Sequence, residues 1–383
     1  MDFLSGLQSI LDLLTGYALP FLFVLTVVVF VHELGHFLVA RLCGVRVLTF
    51  SIGFGPEIAG FFDKSGTRWR FAAIPLGGYV KFLGDENAAS TPDHDALAAL
   101  RPDERRVSFA GQPVAKRAAI VAAGPFANFL LAIVVFAAIF MFSGRLEMAP
   151  IVDRLQPGSA AETAGFLPGD KIVSIDGRPI RTFSDMQRIV SGSAGVTLEI
   201  EVERDGARVP LTATPQLREI QDGFGGTQRV GVLGISRSTA DSKVVTVQRY
   251  GFFDAVALGA EETWFVVTRT GQFLAGLVAG RESADQLGGP LRIAQVSGQV
   301  ATAGVAALFN LVAVLSVSIG LLNLVPIPML DGGHLLFYGV EALRGRPLSE
   351  RAQEMGLRIG LALVLMLMLF ATWNDIVFLS SLG

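Results

Sequence analysis

Charged side chains are scarce in this 383-residue chain. They make up 17% of the residues, whereas a soluble domain averages about 25%. Together with 51% hydrophobic residues and a mean hydropathy of +0.53, this deficit predicts a membrane protein. The net charge of −3 gives no support to a nucleic-acid partner. The single cysteine, Cys43, excludes an intrachain disulfide, and we expect it to be a small packing residue.

Lys and Arg are absent from the first 40 residues and from everything after residue 358. Crossing a bilayer takes about 20 apolar residues, and four stretches qualify, at roughly 17–42, 118–142, 303–325 and 357–373. Between them, 41–117 contains eleven basic residues and 344–358 contains four. The positive-inside rule places these two connections in the cytoplasm, so both termini and the segment 144–300 face outward. Without a visible transit peptide, we expect the inner (cytoplasmic) membrane of a bacterium.

A shorter apolar stretch at 263–280 is predicted to be an interfacial helix rather than a fifth span. Arg269 would be costly at mid-bilayer, and the apolar residues recur at steps of three, four or seven, which gives a helix one apolar face. That face comprises Phe253, Val256, Ala260, Trp264, Val267, Leu274 and Val278.

The motif HELGH ends the first apolar stretch. On a helix, His32 and His36 lie one turn apart on the same face, where two neutral imidazoles can bind one Zn²⁺. Glu33 lies beside them and can take a proton from a water molecule at the metal. The alternative is a chance motif whose histidines only hydrogen-bond within the bundle. Three ionisable groups in an apolar span would be costly without a ligand, so the sequence favours the metal site.

Catalytic zinc keeps three protein ligands and one open position, and the stretch NLVPIPMLDGGHLLF (323–337) supplies the third. Its two prolines cannot continue a helix, and we expect Gly332 and Gly333 to allow a turn. Asp331 lies in this irregular stretch and is the favoured ligand, because carboxylates are normal zinc ligands. His334 is the rival ligand.

These motifs together resemble the site-2 proteases. The resemblance rests on HELGH, on GPFAN (124–128) in the second apolar stretch and on NLVPIPMLDGG after the third. SIGFGP (51–56) and IPLGGYVKFLGD (74–85) narrow it to the bacterial RseP type. The resemblance implies a zinc metalloprotease that cuts substrates within the membrane, with metal ligands His32, His36 and Asp331. It also implies a catalytic Glu33 and a substrate-contacting Asn323.

Asparagines inside the predicted spans have alternative roles. Asn323 would bind the substrate backbone or the oxyanion of the intermediate, or else satisfy carbonyls freed by the nearby prolines. Asn128 is predicted to hydrogen-bond between helices.

Residues 45–56 and 68–82 are predicted to be strands, because they are rich in β-branched and aromatic residues and punctuated by Gly and Pro. Such a hairpin dipping toward the active site would offer an edge to an unwound substrate, with Gly53, Phe54 and Gly55 at the contact. The alternative is an ordinary cytoplasmic hairpin. His94, in the polar stretch 86–112, is predicted to be solvated rather than part of a second metal site.

The outward segment resembles a bacterial PDZ domain in QPGSAAETAGFLPGDKIVSIDGRPI (156–180). Pro-Gly and Asp-Gly pairs mark turns there, and VTLEIEVER alternates like a half-buried strand. The sequence has room for one copy, with 222–236 as a terminal strand pair or an embellishment. Whether this domain delivers substrates or excludes uncut proteins stays open.

The predicted fold is an α-helical polytopic membrane protein with four transmembrane helices, a membrane-associated β-hairpin and one α+β PDZ domain. The predicted division of the chain is 1–43 (first span), 44–117 (β-loop region), 118–143 (second span), 144–240 (PDZ domain), 241–300 (interfacial helices), 301–343 (third span and ligand segment) and 344–383 (loop and fourth span).

The predicted activity is hydrolysis of pre-trimmed single-span membrane proteins, such as anti-sigma factors or signal-peptide remnants, by an enzyme with one Zn²⁺ per chain. The resemblance implies an upstream site-1 protease that makes the first cut. The rival functions are a membrane transporter or channel, and a non-catalytic PDZ scaffold.

Overall fold

The computed structural model describes residues 14–85, 99–221, 227–236 and 245–382, so His94 and 222–226 lie outside the described residues. Its helices are α1 (Leu19–Leu42, preceded by a π-helical turn, Leu14–Ala18), α2 (Pro102–Val107), α3 (Val114–Phe142), α4 (Ala160–Thr163), α5 (Phe183–Gly192), α6 (Phe252–Val278), α7 (Pro290–Thr302), α8 (Val305–Asn323), α9 (Asp331–Arg344) and α10 (Glu350–Leu382). Its strands are β1 (Val47–Phe62), β2 (Arg68–Phe82), β3 (Arg145–Met148), β4 (Arg154–Leu155), β5 (Lys171–Ile175), β6 (Arg178–Pro179), β7 (Leu198–Arg204), β8 (Ala207–Ala213), β9 (Gln216–Gln221), β10 (Thr227–Val232), β11 (Ile235–Ser236) and β12 (Val245–Gln248).

Four helices of the described chain are long and apolar enough to cross a membrane, which confirms the predicted number. They are Leu14–Leu42, Val114–Phe142, Val305–Asn323 and Glu350–Ser380. The fourth is longer than its predicted apolar stretch because α10 begins at Glu350 with polar turns. The protein is therefore a membrane protein, built mostly from helices with small sheets.

The chain forms two compact units. The first, which we call the span unit, comprises Met1–Ile139, Phe252–Arg281 and Leu287–Gly383. The second, the inserted unit, comprises Phe140–Gly251 and Glu282–Gln286.

Strands β1 and β2 form the predicted hairpin in the span unit. Both strands bend, so that their halves pair as four antiparallel rows in the order 57–62, 68–72, 47–54 and 74–82. The bend of β1 lies at Gly53 and Gly55, whose φ angles of +89° and +84° are in the region that favours glycine. Among the described residues, row 74–82 pairs with row 47–54 alone, and it therefore forms an edge of the sheet.

An aromatic core fastens this sheet to α1. Phe50 is fully buried, its ring stacks on Trp69 at 4.3 Å, and it meets Phe37 of α1 edge to face at 5.6 Å. Burying one such side chain stabilises a fold by about 1.5–3 kcal/mol. The sheet is thus held against the helix that carries the HELGH motif.

Helix α6 contains the stretch predicted to be interfacial. Its buried side is made of small residues, including Ala255, Gly259 and Thr263, and a Cβ on Gly259 would lie 2.7 Å from the carbonyl oxygen of Ile133 in α3. Five of the seven residues of the predicted apolar face are exposed, with Trp264 at 67% and Val278 at 92%, while Val267 and Leu274 are half-buried. Most of this face is thus uncovered by the described part of the chain, and the interfacial position of α6 stays a prediction.

The inserted unit is built around a four-stranded sheet with strand order β6-β5-β7-β8. The predicted alternation of β7 is confirmed, since Leu198, Ile200 and Val202 are buried in the core of this unit. In the described part of 222–236, β10 pairs with β9 and β11 pairs with β4.

Candidate metal centre

Two histidines of α1 converge as the HELGH spacing predicts. His32 and His36 are both buried, and their Nε2 atoms lie 3.2 Å apart. The pair lies inside a helix apolar enough to span a membrane. Two imidazole nitrogens this close together are well arranged to share a metal ion.

Asp331 completes this group from the far end of the chain. Its Oδ2 lies 3.1 Å from Nε2 of His32, and its Oδ1 lies 3.6 Å from Nε2 of His36. Among the described residues, these three side chains form the one group of histidines, cysteines and carboxylates with metal-ligand spacing. The structure therefore brings together the three ligands that the sequence favours.

The loop between α8 and α9 places Asp331 at the first position of α9. The expectation that Gly332 and Gly333 make the turn is wrong, because both are helical residues of α9 and the positive φ, +91°, belongs to Met329. The glycines serve close packing instead. A Cβ on Gly332 would lie 2.3 Å from the carbonyl oxygen of Leu324. A Cβ on Gly333 would lie 2.4 Å from the carbonyl oxygen of Ile327. Only glycine lets α9 begin this close to the loop.

The rival ligand His334 lies one turn further along α9. It does not belong to the metal-spaced group within the described chain, and its ring meets Phe337 edge to face at 6.4 Å. Its backbone amide donates to the carbonyl of Leu330. In the structure His334 therefore packs against Phe337, outside the metal-spaced group of the described residues.

The group fits zinc on its own geometry. Zinc lies about 2.0–2.2 Å from nitrogen and oxygen ligands in a tetrahedron, so two ligand atoms should be about 3.3–3.5 Å apart. The three separations here, 3.1, 3.2 and 3.6 Å, bracket that value. In addition, Oδ2 of Asp331 is buried without a hydrogen-bond partner among the described residues. A buried, unpaired carboxylate oxygen facing two imidazoles is explained by a cation between them.

Helix α3 backs the metal group at very short range. A Cβ on Gly124 would lie 2.3 Å from Nε2 of His36, and a Cβ on Gly35 of α1 would lie 2.4 Å from the carbonyl oxygen of Ala123. Glycines at helix interfaces let backbones approach in this way. Gly124 is the glycine of the GPFAN motif, so the motif could have indicated this close contact as well as the family resemblance.

Both histidines contact α3 through their second ring nitrogens. Nδ1 of His36 lies 2.9 Å from the carbonyl oxygen of Ile120, and Nδ1 of His32 lies 3.3 Å from Nδ2 of Asn128. The contact of the Asn128 side chain with His32 is the interhelical contact that was predicted for Asn128, although its partner was not predicted. The backbone carbonyl of Asn128 separately accepts from Oγ of Ser316 at 2.9 Å.

Glu33 lies between the metal group and the sheet. Its carboxylate accepts from the backbone amide of Val80 and is close enough to His36 and Asp331 for electrostatic coupling. A Cβ on Gly78 would lie 3.1 Å from Cγ of Glu33. The edge row of the sheet therefore passes directly beside the predicted general base.

Among the residues predicted to contact substrate, Gly53 and Phe54 lie against the edge row 74–82, and Asn323 lies at the end of α8. The bend Gly53–Gly55 is close to the chain's own backbone, since a Cβ on Gly53 would lie 2.8 Å from the carbonyl oxygen of Ile74. Phe54 stacks on Tyr79 at 6.2 Å. Asn323 is the last residue of α8, eight positions before Asp331. Gly78, where the sheet comes close to Glu33 of α1, was not predicted from the sequence.

Comparisons with known proteins agree with this centre. The profile of peptidase family M50 matches residues 20–367, which include every residue of the metal group. The chain belongs to peptidase family M50. A Rhizobium meliloti protein whose name describes a candidate zinc metalloprotease is 54% identical over 94% of this chain and 96% of its own length. Metalloprotease MmpA of Caulobacter vibrioides is 45% identical, covering 93% of this chain and 94% of its own.

A more distant M50 relative, from Rickettsia conorii and again named as a candidate zinc metalloprotease, is 33% identical over 93% of this chain and 97% of its own. The resemblance to site-2 proteases is thus confirmed, and the chain is a metalloprotease of this family with zinc as its cofactor. His32, His36 and Asp331 are the residues that would hold the zinc.

Proposed function

We propose that this M50 protein hydrolyses a peptide bond within or near the transmembrane segment of single-span membrane proteins already trimmed by another protease. Anti-sigma-factor-like proteins and signal-peptide remnants are the expected substrates. One observation carries the proposal, namely that the buried pair His32 and His36 lies in a helix apolar enough to span a membrane, with the half-buried Asp331 at metal-ligand spacing from both. A metal centre at this position can act on substrate segments that stay inside the bilayer.

The chain's own residues divide the chemistry between them. When bound, zinc supplies a Lewis acid that polarises the scissile carbonyl and makes water more acidic. Glu33 accepts the proton of the attacking water and returns it to the leaving amine. Asn323 donates its amide hydrogens to the developing oxyanion.

A membrane helix hides its amides, so the substrate must be held in an extended form. The row 74–82 supports this step, because it is an edge of the sheet and runs past Glu33 at Gly78 and Val80. A substrate segment would add to this edge as a further strand. The bend at Gly53–Gly55 lies beside this row, with the Phe54 ring 6.2 Å from that of Tyr79, and would contact the added strand.

The decisive experiment compares Glu33→Gln with the wild type in liposomes that contain a single-span reporter. Losing a general base should lower cleavage by about 10²- to 10⁴-fold, while zinc content stays near one per chain. Glu219→Gln, on the exposed surface of β9, is the matched control and should cut normally. Unchanged cleavage in Glu33→Gln would refute the proposal.

The same preparation separates the rival functions. A transporter needs no general base and would keep its activity in Glu33→Gln. A scaffold would bind no metal and ignore chelators. In cells, proteomics of membrane fragments that accumulate with Glu33→Gln would identify the substrates.

We also propose that residues 144–240 form a PDZ domain on the outer side of a bacterial inner membrane, together with both termini. The support is the β6-β5-β7-β8 sheet with helices α4 and α5, and the distribution of basic residues in the sequence. Deleting 156–236 separates its possible roles. Faster cleavage of untrimmed reporter indicates a size filter, slower cleavage of trimmed reporter indicates delivery, and no change in either contradicts a screening domain.

A further inference from the structure

Asn128 is completely buried on α3, inside the second apolar helix. Its side-chain Nδ2 lies 3.3 Å from Nδ1 of His32. Its Oδ1 is buried and has no hydrogen-bond partner among the described residues. Leaving a buried amide oxygen without a donor destabilises a fold, so this arrangement needs an explanation.

The chemistry of His32 supplies one. Its Nε2 faces Asp331 and His36, so Nε2 must keep its lone pair free for the metal. A neutral imidazole then carries its proton on Nδ1 and needs an acceptor there. The amide Nδ2 is a donor, whereas the unpaired Oδ1 at the other end of the same group is an acceptor.

A half-turn of the amide exchanges these two ends without changing its shape. It brings Oδ1 to Nδ1 of His32 and places Nδ2 at the former position of the oxygen. His36 already has the matching arrangement, with its Nδ1 at 2.9 Å from the carbonyl oxygen of Ile120. Both metal-facing histidines would then donate to acceptors on α3.

We propose that Asn128 is a positioning residue for the metal centre. Its Oδ1 accepts the Nδ1 proton of His32, which selects the tautomer with a free Nε2 and holds the ring toward Asp331. The proposal rests on the zinc site of the proposed function but not on any substrate.

The alternative role, linking helices, is already filled by the backbone of the same residue. Oγ of Ser316 in α8 donates to the Asn128 carbonyl at 2.9 Å. The side chain is not needed for that bond. Replacing the side chain should therefore affect the metal, and replacing Ser316 should affect the packing of α8.

The test measures zinc affinity of the purified full-length protein by competition with a chromophoric chelator. Asn128→Leu, which keeps the volume and removes the acceptor, should bind zinc about 10- to 100-fold more weakly. The visible spectrum of the Co²⁺-substituted protein should shift at the same time. Ser316→Ala should leave both readings at their wild-type values. Equal losses in the two variants would show that helix packing is responsible and overturn the proposal.

A second variant keeps the test decisive if Asn128→Leu does not fold. Asn128→Asp retains an acceptor and loses the donor, so zinc affinity should stay near the wild-type value. If Asn128→Asp loses zinc binding, the donor end faces His32 and the proposal is wrong. No substrate is used in this test. If only the role of Asn128 is wrong, the wild type still binds zinc. If the proposed function fails because the metal centre does not exist, neither the wild type nor any variant binds zinc.

Discussion

Gly124→Ala adds one methyl group where α3 passes the metal-binding histidines. The new Cβ would lie 2.3 Å from Nε2 of His36 and 2.9 Å from Cε1 of His32. An ordinary contact needs about 3.4 Å, so α3 or the His36 ring must move by about 1.1 Å. A shift of that size is half the length of a zinc–nitrogen bond, about 2.0 Å.

The magnitude follows from the cost of overpacking. Inserting a methyl into a packed site costs about 1–3 kcal/mol. If the strain is relieved by displacing His36, that energy is lost from zinc binding, which corresponds to an affinity about 5- to 150-fold weaker. Cleavage should fall with zinc occupancy and recover in part at high zinc concentration.

The assay is the chelator competition on purified protein, followed by reporter cleavage at low and high zinc. Gly339→Ala is the matched control, because that helical glycine lies on α9, the helix of Asp331, and has no atom within 4 Å of an added Cβ. It should bind zinc normally and be slightly more stable, by about 0.5–1 kcal/mol. If Gly124→Ala binds zinc as tightly as Gly339→Ala, the close approach of α3 to the histidines does not exist and the description of the site is wrong.

Three further perturbations test other parts of the structure. Asp331→Asn should weaken zinc binding and abolish cutting because the charged ligand is lost; metal analysis that finds one zinc per chain would remove Asp331 from the centre. Arg117→Met should destabilise the span unit by about 3–5 kcal/mol, because it leaves Glu341, 2.6 Å away and mostly buried, without its partner. The double variant Arg117→Met/Glu341→Met should recover stability in thermal unfolding, and its failure to do so would contradict the ion pair. In the inserted unit, Asp170 pairs with Arg204 at the end of β7. Lowering the pH should therefore lower the protection of the β7 amides against hydrogen exchange, and Asp170→Asn should remove that pH dependence.

The sign of the last effect follows from the ion pair between Asp170 and Arg204. Burial by itself would raise the pKa of Asp170, but hydrogen bonds from the Arg204 guanidinium and the Leu167 amide outweigh it and hold the pKa below its usual value. A depressed pKa stabilises the fold above the unfolded value of about 3.9, and the stabilisation is lost as pH falls through the folded pKa. Protection that does not change on acidification would show that this carboxylate contributes nothing.

Local periodicity explains most of what could be predicted. His32 and His36 are neighbours in any helix, because residues four apart share a face. The spans follow from apolar length, and the alternation of β7 follows from the two-residue period of a strand. Strand β1 was predicted too short, because its second half, 57–62, pairs with 68–72 and no local signal marks that pairing.

The third ligand shows where local reasoning weakens. The prolines correctly predicted an irregular loop before Asp331, but the loop ends at Leu330 and Asp331 itself is the first residue of α9, so the expectation that it lies in irregular backbone is wrong. Its separation from His334 is only three residues, and either side chain can bind zinc. The choice was made by the way α9 begins, with Gly332 and Gly333 against the loop carbonyls and the positive φ at Met329.

The amino-acid sequence by itself therefore determined the spans, the paired histidines with their glutamate, and the family of the protein. The tertiary structure alone decided what surrounds them: Gly124 and Asn128 behind the histidines, and Gly78 beside Glu33. Helix and strand periods are set by backbone geometry within a few residues, so they are visible in a short window of sequence. Contacts between segments 45 to 96 residues apart depend on how whole helices and sheets pack, and no local pattern records that packing.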